Sequence, residues 1–270
     1  MRRKFGIIFM IIGIGIFFYP DIATCYQEVI TSKYIKKFDQ ENRTKDKNND
    51  IYYEASLSYN SKIYEDGQGE FKDAWICAQS PAVLDGSFSQ CFGYIEIPSM
   101  NIKLPLFIGA SGENMTKGAA VLGGTSLPIG GNNTNSVIAG HRGYRGMPFF
   151  KEIEKLKTGD RISIKNPWEQ LTYIVESVKV IDPYDADSVK IQKGRDMVTL
   201  ITCHPYRGHG KYRYIVYCVR DKGQTVEEKN MEREVLFQSS EKEINKERRF
   251  RICCGICILF LNVVTLMKKG

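Results

Sequence analysis

The sequence predicts a mainly β domain, either a closed barrel or a sandwich, over about residues 92–221. Short stretches rich in β-branched and aromatic residues recur through this region, and the first of them, residues 94–98, alternates between apolar and polar side chains. Glycines and clusters of Pro, Asn and Asp separate these stretches. Many short strands with little helix favour a barrel or a sandwich.

Seven strands and one short helix are predicted within this domain. Strand-forming residues dominate each strand, and turn-forming residues follow it. The apolar spacing in residues 148–156 favours the helix. The predicted strands cover residues 94–98, 102–107, 135–139, 161–165, 172–180, 197–202 and 212–220.

The chain begins with basic residues and an apolar run from Phe5 to Tyr19, which predict an N-terminal membrane anchor over residues 1–24. The run is shorter than the usual span of about 20 residues, but it suffices if it continues through Ala23. A cleaved signal peptide is the alternative, although no convincing small-residue cleavage site follows. An uncleaved anchor would keep the basic start in the cytoplasm and place the remaining domain outside.

The other end of the chain predicts a second membrane segment over residues 252–267, followed by two lysines. The basic cluster at residues 246–251 would then lie outside, so the charges satisfy the positive-inside rule only in part. Residues 25–91 are polar and predict a stalk that is helical or loosely ordered. Residues 222–251 are strongly charged and predict a solvated linker.

The composition excludes several classes of function. The net charge of +7 is modest, and many basic residues flank the apolar ends, so nucleic acid is not an expected partner. A mean hydropathy of −0.29 excludes a polytopic transporter. Three of the eight cysteines lie in the C-terminal apolar run, so their C-x-x-C match favours neither a zinc nor a redox site. No cofactor and no metal ion are expected, although a calcium site stays open.

One cysteine is a candidate catalytic nucleophile. Cys203 follows a strongly strand-forming run, just before a loop that contains Pro and Gly. A thiol nucleophile needs a proton partner and a group that stabilises the developing oxyanion. His141 also lies at a strand end, and Arg213 opens the last strand. Cys203, His141 and Arg213 are therefore the candidate catalytic residues.

These residues resemble the signature of a known family. The sequence Thr-Leu-Ile-Thr-Cys at residues 199–203 resembles the TLxTC motif of sortases, and the Gly-His-Arg-Gly around His141 and the position of Arg213 are similar to that family in order and spacing. Residues 93–98 and 124–131 resemble the family's opening strand and the segment before its histidine. The resemblance covers about 130 residues.

The resemblance implies an eight-stranded β-barrel transpeptidase. Cys203 would attack the Thr–Gly bond of an LPxTG-like sorting signal on a secreted protein and form a thioester, which a primary amine then resolves. His141 would protonate the leaving amine and later deprotonate the incoming one. Arg213 would stabilise the oxyanion or position the substrate backbone, and Thr202 would be a supporting contact.

The reactive pair needs a thiolate on Cys203 and an imidazolium on His141. With ordinary pKa values, about 3% of the thiol and about a quarter of the imidazole are in those forms at pH 7. If the two groups titrate independently, under about 1% of the enzyme is competent. Slow turnover is therefore expected.

Two features are similar to the pilus-building sortases, called class C. One is the second membrane segment, and the other is a lid in front of the barrel. The family's lid carries an Asp-Pro-aromatic motif, and Asp73-Ala74-Trp75 lies at the corresponding place, with Ala74 in place of the proline. In a lid, Asp73 would approach Arg213 and Trp75 would cover Cys203. The alternative is an ordinary helix or loop with one buried Trp.

The class C resemblance implies that the acceptor amine is a pilin lysine. The alternative acceptor is a cell-wall peptide amine, which would yield an anchored surface protein. In both cases the expected localisation is the membrane of a Gram-positive cell, with the catalytic domain on the extracellular face. Other classes stay open as rivals: a cysteine protease acting on the same motif, a binding module and a thiol–disulfide oxidoreductase.

Other polar residues near the motifs have simpler interpretations. His204 adjoins Cys203, but neighbours on a strand point to opposite faces, so a catalytic pair is not favoured. His209 is expected in an exposed loop, and Arg142 is expected to be solvated. Cys218 is expected to be a buried apolar residue. A disulfide between residues 77 and 91 stays open.

Overall fold

The computed structural model describes residues 2–42, 50–68, 91–144, 147–208, 210–221, 246 and 249–250. Within these ranges the chain forms helices α1 (Arg2–Glu41), α2 (Ile51–Glu65) and α3 (Gly112–Lys117) and eight strands. The strands are β1 (Gly93–Ile97), β2 (Ile102–Ile108), β3 (Ala119–Val121), β4 (Thr134–Ala139), β5 (Arg161–Lys165), β6 (Gln170–Ile181), β7 (Asp196–His204) and β8 (Tyr212–Arg220).

The eight strands close into a barrel in the order β1-β2-β3-β4-β7-β8-β6-β5, with β5 returning to β1. The pairs β2–β3 and β4–β7 are parallel, and the other pairs are antiparallel. In the β4–β7 pair, Ala139 lies opposite Ile201. The mainly β, closed eight-stranded architecture is thus confirmed, and the sandwich alternative is excluded.

The structure corrects two predicted elements. The sequence did not predict β3, because three residues are too few to show an alternating pattern. The helix predicted at residues 148–156 is wrong, since this segment is a series of turns with one 3₁₀ turn at Ile153–Lys155. Phe149 has a φ of 39°, and Phe149, Phe150 and Ile153 are buried. The apolar spacing that suggested a helix therefore comes from turns packed against the core.

Side chains alternate between the two faces of the barrel wall, as strand geometry requires. Leu200 of β7 and Val216 of β8 belong to the interior core. Ile201 and Ile215 point the other way, into an outer apolar layer that also contains Phe38 of α1. Cys203 and Arg213 have the same odd-numbered positions as Ile201 and Ile215, so they lie on the outer face.

The C-terminal part of α1 packs against the outside of the barrel. Thr31, Ile35 and Phe38 are buried, and their spacing places them on one face of the helix. The Phe38 ring meets Tyr94 of β1 edge-on at 5.9 Å, and the Tyr34 ring meets Phe107 of β2 at 5.7 Å.

The predicted membrane segments stay predictions. Among the described residues, none of the helices is both long enough and apolar enough for a membrane span. The segment predicted at residues 252–267 lies outside the described residues, and the linker at 222–251 is described only at residues 246, 249 and 250, which are helical.

Helix α2 and the turn after it hold two loops of the barrel. The Asn60 side chain accepts a hydrogen bond from the Leu127 N–H (2.7 Å) and donates one to the Leu127 carbonyl (3.1 Å). The Gln68 side chain donates to the Gly124 carbonyl (2.9 Å) and accepts from the Ile191 N–H (2.7 Å). These contacts fix the segments that lead into β4 and β7.

Replacing Asn60 by Ala should destabilise the barrel. The substitution leaves the buried N–H and carbonyl of Leu127 without these partners, which should cost about 1–3 kcal/mol of unfolding free energy. Urea denaturation measures the change. The matched control is Ser58→Ala on the exposed side of α2, which should change stability by less than about 0.5 kcal/mol. Equal stability of the two variants would contradict the role of Asn60.

Candidate active site

Cys203 and Arg213 lie opposite each other on the adjacent strands β7 and β8. The Arg213 guanidinium donates through Nη1 to the carbonyls of Gly210 (2.6 Å) and Tyr212 (3.1 Å). Gly210 has a φ of +71°, and a Cβ placed on it would lie 3.2 Å from Cys203 Sγ and 3.3 Å from Arg213 Nη1. The thiol and the guanidinium therefore converge on one point beside Gly210.

The end of β4 brings His141 to the same edge of the barrel. The Gly140 N–H donates to the Ile201 carbonyl (3.1 Å), which extends the pairing with β7 by one residue. The Thr202 hydroxyl donates to the Gly140 carbonyl (2.6 Å) and is buried. His141 and Cys203 each lie two residues beyond the last pair of the β4–β7 ladder, Ala139 and Ile201. Thr202 thus supports the segment that carries His141.

Two aromatic rings surround the His141 imidazole. The Tyr144 ring stacks on it, with centroids 4.7 Å apart and an angle of 19° between the planes. Phe149 meets it edge-on at 6.1 Å. The His141 carbonyl also accepts a hydrogen bond from the Phe150 N–H (2.9 Å). The turns after His141 therefore hold both its ring and its backbone.

An ion pair between Arg142 and Glu154 lies next to this site. Arg142 is only 6% exposed, so the expectation that it is solvated is wrong. Its Nη2 atom lies 2.6 Å from Oε1 of Glu154, in the 3₁₀ turn that replaces the predicted helix. The only feature of the sequence that pointed to Arg142 was its position beside His141. The burial of a side chain in a turn depends on tertiary packing, which the sequence does not show.

The geometry agrees with comparisons to known proteins. A family model described as the sortase domain matches residues 95–221, which is nearly the whole barrel. Sortase A of Bacillus anthracis is 32% identical over 159 residues, which cover 57% of this chain and 72% of the relative. The chain belongs to the sortase family.

Solved structures of sortases match the barrel as well. Sortase C1 of GBS pilus island 1 superposes with a TM-score of 0.64 at 30% identity, over 70% of this chain and 97% of that one. A Clostridium perfringens sortase C solved with the C-terminal cell wall sorting motif gives 0.59 at 37% identity, over 70% and 96%. This sortase is thus a cysteine transpeptidase with class C structural neighbours, which excludes the binding-module and oxidoreductase alternatives.

Burial of the sortase site shifts both reactive groups away from their charged forms. Burial raises the pKa of Cys203, and the positive charges of Arg213 and Arg142 offset only part of this effect. Burial also lowers the pKa of His141. At neutral pH, a raised thiol pKa means less thiolate and a lowered imidazole pKa means less imidazolium. Both shifts reduce the competent fraction below the value expected from ordinary pKa values.

The remaining His and Cys residues of the sortase are not part of the candidate catalytic set, and some of them lie outside the described residues. His204 is 2% exposed, on the inner face, with Nδ1 3.3 Å from Glu154 Oε1. This placement confirms that it does not pair with Cys203. Cys218 is fully buried, as expected. Cys91 carries a free, buried thiol whose pKa is raised by burial to about 12.

Several predicted residues cannot be placed. Asp73 and Trp75 of the lid, Cys77 of the suggested disulfide, and His209 all lie outside the described residues. Within the described ranges, no group of three or more His, Cys, Asp or Glu side chains is placed to hold a metal ion. The expected lack of a metal stays a prediction.

Replacing Arg213 by Gln should raise the pKa of Cys203 further, since the largest positive contribution to the thiolate is lost. The measurement is the pH dependence of Cys203 alkylation by iodoacetamide, followed by peptide mass spectrometry. The inflection should move to higher pH, and alkylation at pH 7 should slow. Arg213→Lys keeps the charge and should shift the inflection less. An unchanged profile in Arg213→Gln would refute the electrostatic role.

Proposed function

We propose that this sortase is a membrane-anchored pilin polymerase. It cleaves an LPxTG-like sorting signal between Thr and Gly and transfers the acyl group to a pilin lysine. The observation that carries the chemistry is the convergence of the Cys203 thiol and the Arg213 guanidinium beside Gly210, with His141 on the neighbouring strand end.

The first half of the reaction forms the thioester. The Cys203 thiolate attacks the carbonyl carbon of the Thr residue, and the negative charge moves to the carbonyl oxygen. Arg213 lies beside Cys203, so its N–H groups are placed to stabilise that oxyanion. When the tetrahedral intermediate collapses, the C–N bond breaks and the His141 imidazolium donates its proton to the leaving Gly amine.

The second half of the reaction resolves the thioester. The acceptor amine attacks the same carbonyl carbon, and neutral His141 takes a proton from the attacking nitrogen. Collapse of the second intermediate expels the Cys203 thiolate and leaves a new amide bond. The imidazolium and the thiolate are restored together, so the cycle consumes no cofactor. Thr202 contributes by holding Gly140, the residue before the base.

The choice of acceptor rests on the class C neighbours. The matched sortase C1 belongs by its name to a pilus island. The second predicted membrane segment at residues 252–267 points to the same branch. These features favour a pilin lysine over a cell-wall peptide amine.

The proposed location is the cell membrane, with the catalytic domain on the extracellular face. Support comes from the basic start, the apolar run after it and the apolar C-terminal segment. The N-terminal part of α1 also exposes large apolar side chains, among them Ile12, Ile16 and Ile22. Such a surface is typical of contact with lipid or another apolar partner.

Mass spectrometry of the full chain in detergent tests the reaction, with LPxTG-type peptides and a pilin that carries candidate lysines. A thioester on Cys203 followed by an isopeptide-linked pilin ladder is expected. Cys203→Ala should abolish the thioester, and His141→Ala should slow acyl transfer roughly 10²- to 10⁴-fold. Cys25→Ala is the matched control, because Cys25 is an exposed thiol outside the barrel, and it should leave the reaction intact.

The outcomes separate the alternatives. A thioester resolved only by cell-wall peptide amines would keep the transpeptidase and refute the pilin acceptor. Release by water alone, with every amine tested, would indicate a protease. Turnover retained in Cys203→Ala would overturn the mechanism itself.

We also propose that Asp73 and Trp75 form a lid over the site. Trp75→Ala should then speed the alkylation of Cys203, because the thiol would be uncovered more often. Trp75→Phe keeps an aromatic ring and should change the rate less. Equal alkylation rates in Trp75→Ala and the unmodified chain would rule out the lid.

A further inference from the structure

A group of buried polar side chains joins the two segments that carry the proposed catalytic residues. Arg142 directly follows His141, and His204 directly follows Cys203. Arg142 Nη2 lies 2.6 Å from Glu154 Oε1, and His204 Nδ1 lies 3.3 Å from the same oxygen atom. One carboxylate oxygen therefore lies within ion-pair distance of both residues.

This polar group is enclosed by the barrel. The side chains of Arg142 and His204 are 5% and 2% exposed, and that of Glu154 is 16% exposed. The Tyr214 ring lies beside both partners, 5.5 Å from Arg142 Cζ and 5.7 Å from the His204 ring. A buried ion pair gains little stability, because desolvation offsets the attraction between the charges. The net gain in stability from the group is therefore expected to be small.

The group lies where the backbone pairing stops. The β4–β7 ladder ends at Ala139 opposite Ile201, and the Thr202–Gly140 hydrogen bond follows. Glu154 supplies the next link between the two segments, and the buried Ile153 anchors the turn that carries it. The two residues next to Glu154 are Arg142, which follows His141, and His204, which follows Cys203.

We propose that Glu154 is a positioning residue, which fixes His141 against Cys203 by binding Arg142 and His204 with one carboxylate oxygen. The inference rests on the proposed function, because it requires His141 and Cys203 to react together. It assigns Glu154 no contact with the substrate.

The charges of this group make the role testable. The Arg142 charge stabilises the Cys203 thiolate, and Glu154 neutralises part of that charge. Loss of Glu154 should therefore not slow a reaction that needs only the thiolate. It should slow a reaction that needs His141 as well, since misplacement by about 1 Å can cost on the order of 10²-fold in rate.

The experiment compares two reactions of Cys203 in the full chain in detergent. One is acylation by an LPxTG-type peptide, and the other is alkylation by iodoacetamide, both followed by mass spectrometry. Glu154→Ala should slow acylation on the order of 10²-fold without slowing alkylation. Glu154→Gln keeps an oxygen acceptor and should retain more acylation than Glu154→Ala. Glu152→Ala, a neighbour in the same turn paired with Lys155, should change neither rate.

A double-mutant cycle separates positioning from a structural effect. In a His141→Ala background, Glu154→Ala should not slow the remaining acylation, because the effect of Glu154 acts through His141. If Glu154→Ala does not fold, His204→Phe removes one of the two contacts. That variant should slow acylation in the same direction and leave alkylation unslowed.

Three results would overturn the positioning role: unchanged acylation in Glu154→Ala, a parallel fall of acylation and alkylation, or an equal loss with and without His141. The measurement needs no pilin, so a thioester without pilin transfer would refute only the acceptor and leave this inference intact. An unmodified chain that forms no thioester would overturn both.

Discussion

The parallel pairing of β4 with β7 is the constraint on which the rest of the site depends. Parallel strands end at the same edge of a sheet, so the segments after Ala139 and Ile201 must run side by side. Gly140 and Thr202 are 62 residues apart in the chain, yet one hydrogen bond joins them. Antiparallel β8 then returns Arg213 to the same edge. The strand ends that carry His141, Cys203 and Arg213 therefore lie at one edge of the barrel.

Burial of the site has two opposite effects. It disfavours the charged forms of the reactive side chains, and it strengthens the stabilisation of an oxyanion. Burial disfavours the Cys203 thiolate and the His141 imidazolium, so few molecules are ready to react. The same low-polarity surroundings strengthen the attraction between Arg213 and a developing oxyanion. Burial thus keeps the reactive fraction small while it strengthens the stabilisation of the oxyanion.

The sequence predicted seven of the eight strands because they carry strong local patterns, whereas their closure into a barrel was implied by the resemblance to sortases. It missed β3, which is too short to show one, and it mistook the turns around Phe149 for a helix, because buried turn residues can imitate helical spacing. Cys203, His141 and Arg213 were predicted as the catalytic residues because their motifs lie at strand ends, and the structure places those strand ends at one edge of the barrel. Glu154 and the burial of Arg142 were not found, since their contact depends on tertiary packing between a turn and a strand end.

The glycine at position 210 determines how a molecule can reach the nucleophile. Because Gly210 has no side chain, the thiol and the guanidinium can be reached from the same side. The Cβ of any other residue at this position would lie 3.2 Å from Cys203 Sγ. A small electrophile bearing a carboxylate could bond to Cys203 and bring its negative charge close to Arg213. The bare backbone beside the thiol thus defines a starting point for covalent inhibitors that combine a reactive carbon with an anionic group.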